Sequence, residues 1–376
     1  MEEPRVLEGR FELLEEIGRG GRGVVYRGWH RLLDRAVAIK VLHAQSAQDA
    51  DALKEFRREA RILADLKHPH IVEVHAVGAM PESAAPYVVM EFVSGKTLAA
   101  ILQAEHPLPF KRCVDLAVQT AQGLQYAHER GIVHRDLKPA NIMVEPAAGD
   151  GSEHIKIVDF GLAREETVGS GATLTRVVGS PPYMSPEQCM GKRATNRSDL
   201  YSFGCVLYET LCGVPPFVAD SGIETMQQHM NSAARQVSDL RRDVPDSLAS
   251  VVANLLAKSP ESRYATAAEV ETDLRRIGEF LAGVTPEPNI EVRTDKPLPA
   301  HKDAAARTRK RAMSRLVMIG AILVLTPILI VVARHLMARG GDETPGSNDK
   351  PTNQVSFPEH LTLQQRYRIL RDSTPR

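Results

Sequence analysis

Hydrophobic and polar positions along the chain divide it into three unequal parts. From Arg10 to Met90, apolar residues come in short runs two apart, the spacing of strands covered on one face. Phe11 to Ile17 reads as a strand entering a glycine-bearing turn, Gly18 to Tyr26. Arg35 to Leu42 alternates, with Val37, Ile39 and Val41 on one face and Ala38, Lys40 and Leu42 on the other. Ala50 to Leu66 breaks this alternation. It lacks Gly and Pro, stops before Pro69, and carries Phe56, Ala60 and Leu63 on one helical face. Ile71 to Val77 and Tyr87 to Met90 are predicted to complete a sheet.

From Glu91 to Leu281 the period becomes mainly helical. Arg112 to Arg130 repeats through Val114, Ala117, Ala121, Leu124 and Ala127, and further helices are predicted over Leu200 to Leu211 and Ala267 to Leu281. Between them, a hairpin over Glu145 to Glu153 turns at Gly149-Asp150-Gly151 and leads into the strand Ile155 to Val158. The third part has a different composition. Gly283 to Pro299 holds four prolines and few apolar residues, which predicts an extended linker. His301 to Arg315 is basic through Lys302, Arg307, Arg309, Lys310, Arg311 and Arg315. No residue from Leu316 to Ala333 is charged. Eighteen residues at about 1.5 Å each cover roughly 27 Å, enough for a bilayer core with Arg315 and Arg334 at its edges. The expected organisation is a folded domain over 10–281, a Pro-rich then basic juxtamembrane linker over 282–312, a transmembrane helix over 313–335, and a short tail over 336–376. The basic excess before the span predicts that the domain lies on the cytoplasmic side and the tail outside. Met1 to Arg10 has no apolar core of a signal peptide, which agrees with that orientation. The tail is too short and polar to be expected to fold alone.

Charge adds little to this division. Lys plus Arg equals Asp plus Glu, 47 of each in 376 residues, so nothing points to nucleic acid as a partner. Cys113, Cys189, Cys205 and Cys212 lack any paired spacing, which argues against zinc or a disulfide framework.

Chemistry concentrates at four places. His134-Arg135-Asp136-Leu137-Lys138-Pro139-Ala140-Asn141 sets a carboxylate, an imidazole, two cations and an amide between two short apolar runs, so these groups need partners or a ligand. Lys40 lies on a strand face beside Ala38 and Leu42, where a cation requires an anion. Glu59 shares the inward face of its predicted helix and is the natural partner. Gly18, Gly20 and Gly23 leave room for backbone N–H groups to approach phosphate oxygens. Asp159, at the end of a β-branched run and before Phe160-Gly161, suits a metal ligand on a segment able to move.

Taken in order, these stretches resemble the protein kinases, specifically the bacterial transmembrane, eukaryotic-like (Hanks-type) serine/threonine kinases. The carrying motifs are Gly18-Arg19-Gly20-Gly21-Arg22-Gly23-Val24-Val25, Val37-Ala38-Ile39-Lys40, the loop from His134 to Asn141, Asp159-Phe160-Gly161, and Ser185-Pro186-Glu187. The glycines are followed by a strand rather than a helix, unlike the dinucleotide fingerprint. The resemblance implies an α+β bilobal fold, β-rich then α-rich, and a reaction passing the γ-phosphoryl of ATP to Ser or Thr hydroxyls with Mg²⁺ (or Mn²⁺). It implies that Asp136 accepts the hydroxyl proton, that Lys138 lies near the transferred group, and that Lys40 and Glu59 pair at the phosphates. Asn141 and Asp159 would hold the metal. Ile17, Gly18, Gly20, Gly23, Val25, Ala38, Met90, Glu91, Val93 and Met143 would surround the nucleotide, with the adenine edge bonded to backbone groups near Glu91 and Val93.

The same resemblance implies that Asp199 binds the catalytic loop from beneath and that Arg263 pairs with Glu187. Arg135 would receive a phosphate added in the activation segment, where Thr173 and Thr175 are the candidate acceptors. Expected partners are protein substrates, ATP, the lipid bilayer, and a second copy for autophosphorylation. A pseudokinase scaffold would be marked by loss of Lys40, Asp136 or Asp159, and all three are present. A small-molecule phosphotransferase would not need the turn from Ser180 to Glu187.

Overall fold

A computed structural model of the chain describes residues 5–20, 23–43, 63–146, 152–160 and 180–293. The chain separates into two units, Met1–Pro299 and Ala300–Arg376, and every described residue lies in the first. The predicted membrane segment, the whole basic run and the tail lie outside the described residues, as do Glu59, Thr173 and Thr175. Among the described residues, no helix is long and apolar enough to cross a membrane.

Among the described residues, the first lobe carries an antiparallel sheet of six strands, and Leu63 and Ala64 are helical. The strands are β1 (Val6–Leu7), β2 (Phe11–Gly20), β3 (Gly23–His30), β4 (Arg35–Leu42), β5 (Val74–Ala79) and β6 (Pro86–Glu91), in the order β1-β2-β3-β4-β6-β5. The alternation in β4 fixes its register, because slipping by one residue would exchange its two faces. Val37 and Ile39 pack with Leu7, Phe11, Tyr87 and Val89, while Ala38 joins Val72, Val88 and Met90 on the opposite face. Ala38 pairs with Met90 and Lys40 with Val88 across β4 and β6.

The strands flanking the glycine-bearing stretch reach further than the sequence suggested. Strand pairing continues to Gly20 and Gly23, which face each other. A side chain at Gly23 would strike the Val41 carbonyl, whereas one at Gly18 or Gly20 would meet nothing within 4 Å. Gly23 therefore permits sheet packing, and Gly18 and Gly20 leave open space. The strand predicted from Ile71 begins only at Val74. Ile71 and Val72 belong instead to the seam between lobes, where the Val72 N–H donates to the Ile157 carbonyl (3.0 Å) and the Ile157 N–H to the His70 carbonyl (2.9 Å).

The second lobe is helical, with a small sheet at its top. That sheet orders β7 (Lys96–Thr97), β8 (Ile142–Pro146) and β9 (Glu153–Ile157), the last two joined as a hairpin with Pro146 opposite Glu153. The helices are α1 (Leu98–Glu105), α2 (Phe110–Glu129), α3 (Pro186–Cys189), α4 (Asn196–Cys212), α5 (Gly222–Asn231), α6 (Val237–Leu240), α7 (Asp246–Leu255) and α8 (Ala267–Leu281). α4 is the central member, buried from Ser198 to Tyr208. It ends at Gly213, whose left-handed φ of +77° suits a residue without a Cβ.

The run after α8 turns at residues 282–285, continues to 293 without helix or strand, and is fastened to the lobe. Glu287 Oε1 accepts from the Ser247 amide (2.9 Å) and hydroxyl (2.8 Å) in the first turn of α7. Asn254 Nδ2 donates to the Glu291 carbonyl (3.0 Å), and Asn254 Oδ1 accepts from the Arg293 amide (2.6 Å). The Arg293 guanidinium lies over the Tyr264 ring at 4.4 Å and donates to the Arg263 carbonyl (3.0 Å). Among the described residues the last helix ends at Leu281, but the lobe's contacts continue to Arg293.

Candidate active site

The site is built from the loop joining α2 to β8. Arg135 stands at φ +69°, a left-handed conformation costly for a side chain larger than Gly. Asp199, on the first turn of α4, holds it there. Its fully buried carboxylate accepts from the His134 amide (2.7 Å) and the Arg135 amide (2.8 Å), and bonds His128 Nε2 at 2.8 Å. Burial pushes this carboxyl up, but the bond and charge of His128, with the His134 amide, outweigh it and keep the pKa below the ordinary aspartate value.

His134 is also fully buried, and burial lowers its pKa. Its Nδ1 accepts from the Asp136 amide (3.3 Å), which leaves Nε2–H to donate to the Val158 carbonyl (3.0 Å). Both nitrogens are thus used by the neutral ring, whose centroid lies 4.6 Å from that of the Phe160 ring at a tilt of 54°. This imidazole ties the loop to the strand that presents Asp159.

Asp136 faces the cleft with its Oδ2 2.9 Å from Lys138 Nζ. The same ammonium donates to Ser180 Oγ at 2.7 Å. Asn141 Nδ2 donates to the Asp136 carbonyl (2.8 Å), fixing the backbone after the carboxylate. Across the cleft, Lys40 Nζ lies 2.7 Å from Asp159 Oδ2, with the lysine side chain only 10% exposed. The Asn141 carbonyl accepts from the Val158 amide (2.9 Å), so Asn141 and Asp159 come from adjoining backbone. Asn141 commits its amide nitrogen to the protein, and its side-chain oxygen with the Asp159 carboxylate makes an oxygen donor pair suited to Mg²⁺. Among the described residues, no group of three His, Cys, Asp or Glu could hold a metal alone, so such an ion would need further oxygens from a ligand.

Val25 and Val93 pack with Ala38, Val88 and Met90 into one apolar cluster. Ile17 is half-exposed, and Met143 is half-buried on β8 opposite Lys156. Behind Met90 a small apolar cavity is lined by Leu66, Val72, Asp159 and Phe160. At the hinge, the Glu91 amide already donates to the Glu73 carbonyl (2.8 Å), so of the hinge groups expected to meet a ligand, that N–H is not free. The Glu91 carboxylate accepts from Lys156 Nζ (2.9 Å), an ion pair that ties the first lobe to β9.

Below the cleft, Glu187 and Arg263 form a bidentate pair at 2.8 and 3.0 Å, with the Arg263 side chain 0% exposed. Roles not assigned from the sequence belong to His128, His134, Lys156 and Gln188. Only His134 carried a signal, a titratable group directly after an apolar run.

His229, on α5, is fully buried, with Nδ1 2.9 Å from the Tyr201 hydroxyl. Burial and the nearby Lys258 push its pKa down to about 4. An unfolded chain takes up this proton near pH 6.5, whereas the folded one resists until about pH 4. Stability is therefore expected to fall as the pH drops from about 6.5 to about 4. His229 would contribute up to about 3 kcal/mol of that fall, and His134 would add to it. Urea unfolding across this range should give a rising midpoint with pH, with a shallower slope in a His229→Gln variant. Equal slopes would show that the buried imidazole does not govern the effect.

Lys40, Asp136, Asn141 and Asp159 thus come together in one cleft between the two lobes. A family model described as the protein kinase domain matches residues 11–273, and the chain belongs to that family. Its relatives include serine/threonine-protein kinase PknB of Mycolicibacterium smegmatis, 36% identical over 357 residues, covering 90% of this chain and 56% of that protein. PknB of Mycobacterium tuberculosis is 42% identical over 282 residues, covering 74% and 44%. The chain thus spans about half the length of the curated relatives it matches. The crystal structure of the Mycobacterium tuberculosis PknI kinase domain superposes with a TM-score of 0.57 at 26% identity, over 72% of this chain and 97% of that one. Proteins of this family use ATP and Mg²⁺.

Proposed function

We propose that the protein is a membrane-anchored serine/threonine kinase that passes the γ-phosphoryl of ATP to protein hydroxyls. The observation carrying this reading is Lys138, whose single ammonium bonds both Asp136 and Ser180. It joins a proton acceptor to the turn on which an acceptor peptide would dock. Asp136 orients the attacking hydroxyl and takes its proton, while Lys138 offsets charge on the transferred group. Lys40, aligned by Glu59, contacts the α- and β-phosphates. Asn141 Oδ1 and Asp159 would hold Mg²⁺, which when bound neutralises phosphate charge. Gly18 and Gly20 cover the phosphates, and Ala38, Met90, Val93 and Met143 flank the base.

Thr173 or Thr175 is phosphorylated in the active protein, by a second copy in trans, and the phosphate is received by Arg135. Residues 313–335 form the membrane anchor. The test is incubation of the full chain with labelled ATP, Mg²⁺ and a generic protein substrate, followed by phosphoamino-acid analysis. Phosphoserine and phosphothreonine are expected, and label confined to tyrosine or to a small molecule would refute the assignment.

A further inference from the structure

The turn carrying Ser180 and the loop carrying Asp136 are far apart in sequence, and one side chain connects their backbones. Gln188, on α3, is half-buried, and its two amide atoms have partners of opposite kind. Its Nε2 donates to the Arg135 carbonyl at 2.9 Å. Its Oε1 accepts from the Ser185 amide at 3.1 Å, closing the capping box that starts α3. A carbonyl can only accept and a backbone amide can only donate, so this orientation of the Gln188 amide is the one that satisfies both. Glu could not donate to Arg135, and Lys could not accept from Ser185.

The Arg135 carbonyl belongs to the peptide unit directly before Asp136. The N–H at the other end of that unit donates to His134 Nδ1. The preceding unit is fixed by Asp199 through the Arg135 amide, and the following carbonyl by Asn141. A left-handed Arg135 persists only where its surroundings determine each of these planes. Gln188 is the member of this set that reaches from the docking turn. We propose that Gln188 is a positioning residue, a strut that sets the Asp136 carboxylate relative to the acceptor hydroxyl by holding the peptide before it. This rests on the kinase reading above.

The test compares the full-length parent, Gln188→Glu and Gln188→Ala for steady-state phosphorylation of a protein substrate and for thermal unfolding. Gln188→Glu keeps the acceptor that caps α3, and an acidic residue there suits a helix start, so its melting point should stay within about 2 °C of the parent. It loses the donor to Arg135 and places a carboxylate against a carbonyl. Its kcat should fall about tenfold, with KM for ATP within twofold of the parent. Gln188→Ala loses both contacts and should fall in kcat and in melting point. Parental kcat in Gln188→Glu would overturn the inference, as would a melting loss in that variant equal to that of Gln188→Ala. A parent chain unable to transfer phosphate would fail the kinase reading itself, an outcome distinct from either.

Discussion

Replacing Asp136 with Asn is expected to lower kcat about 10³-fold while leaving the fold and the KM for ATP almost unchanged. The carboxylate is not what holds the loop. Asp199 grips the His134 and Arg135 amides, His134 accepts from the Asp136 amide, and Asn141 bonds the Asp136 carbonyl. An Asn side chain of the same shape can still accept from Lys138 through its oxygen. What disappears is the ability to take a proton from the attacking hydroxyl, a contribution of about 10²–10⁴ in rate for a positioned base. Steady-state assays paired with thermal melts would check this. A variant retaining a tenth of the parental kcat would remove Asp136 from the role of base.

How much of this arrangement is visible in the chain depends on the distance over which each residue acts. The β4 alternation is legible because strand geometry forces successive side chains to opposite faces, so Lys40 could be assigned a cleft face from its neighbours alone. The loop from His134 to Asn141 is legible because so many polar groups between apolar runs demand partners. His128 is not. It sits in the last turn of an amphipathic helix, and its meaning comes from a bond to Asp199, 71 residues away. Gln188 is hidden for the same reason, its key partner being a carbonyl with no sequence signature. The Gly283 to Pro299 run shows a different kind of loss. Its prolines and scarcity of apolar residues suggest extended chain, and residues 286–293 carry neither helix nor strand. Its attachment depends on Glu287, Asn254 and Arg293, which bond backbone groups and leave no periodicity. The start of β5 was misjudged at Ile71 because a β-branched run pairing with Ile157 across the lobes looks, in sequence, like one pairing within the sheet.

The largest effect on stability is expected at Arg263, far from any reacting atom. Replacing it with Met should destabilise the catalytic domain by about 3–5 kcal/mol. Against a total of about 5–15 kcal/mol, that is a substantial share, and it should lower the melting temperature by roughly 10 °C. The guanidinium bonds both Glu187 oxygens and also donates to the carbonyls of Ala257, Arg197 and Lys258. Burial alone would push the Glu187 carboxyl up. Arg263, with Ser198, reverses that and keeps its pKa below the ordinary value, so the pair's stabilisation is present at neutral pH and lost as acid protonates Glu187. Met fills the volume but leaves a buried carboxylate with little beyond the Ser198 hydroxyl, 2.7 Å away, to compensate it. Adding Glu187→Gln to Arg263→Met removes that stranded charge and should recover part of the loss. Recovery stays incomplete because three backbone carbonyls still lack their donor. If the single variant melts within 2 °C of the parent, the pair is not a keystone of the lobe. If the double variant melts no higher than the single one, the destabilisation comes from the carbonyls rather than from the uncompensated charge.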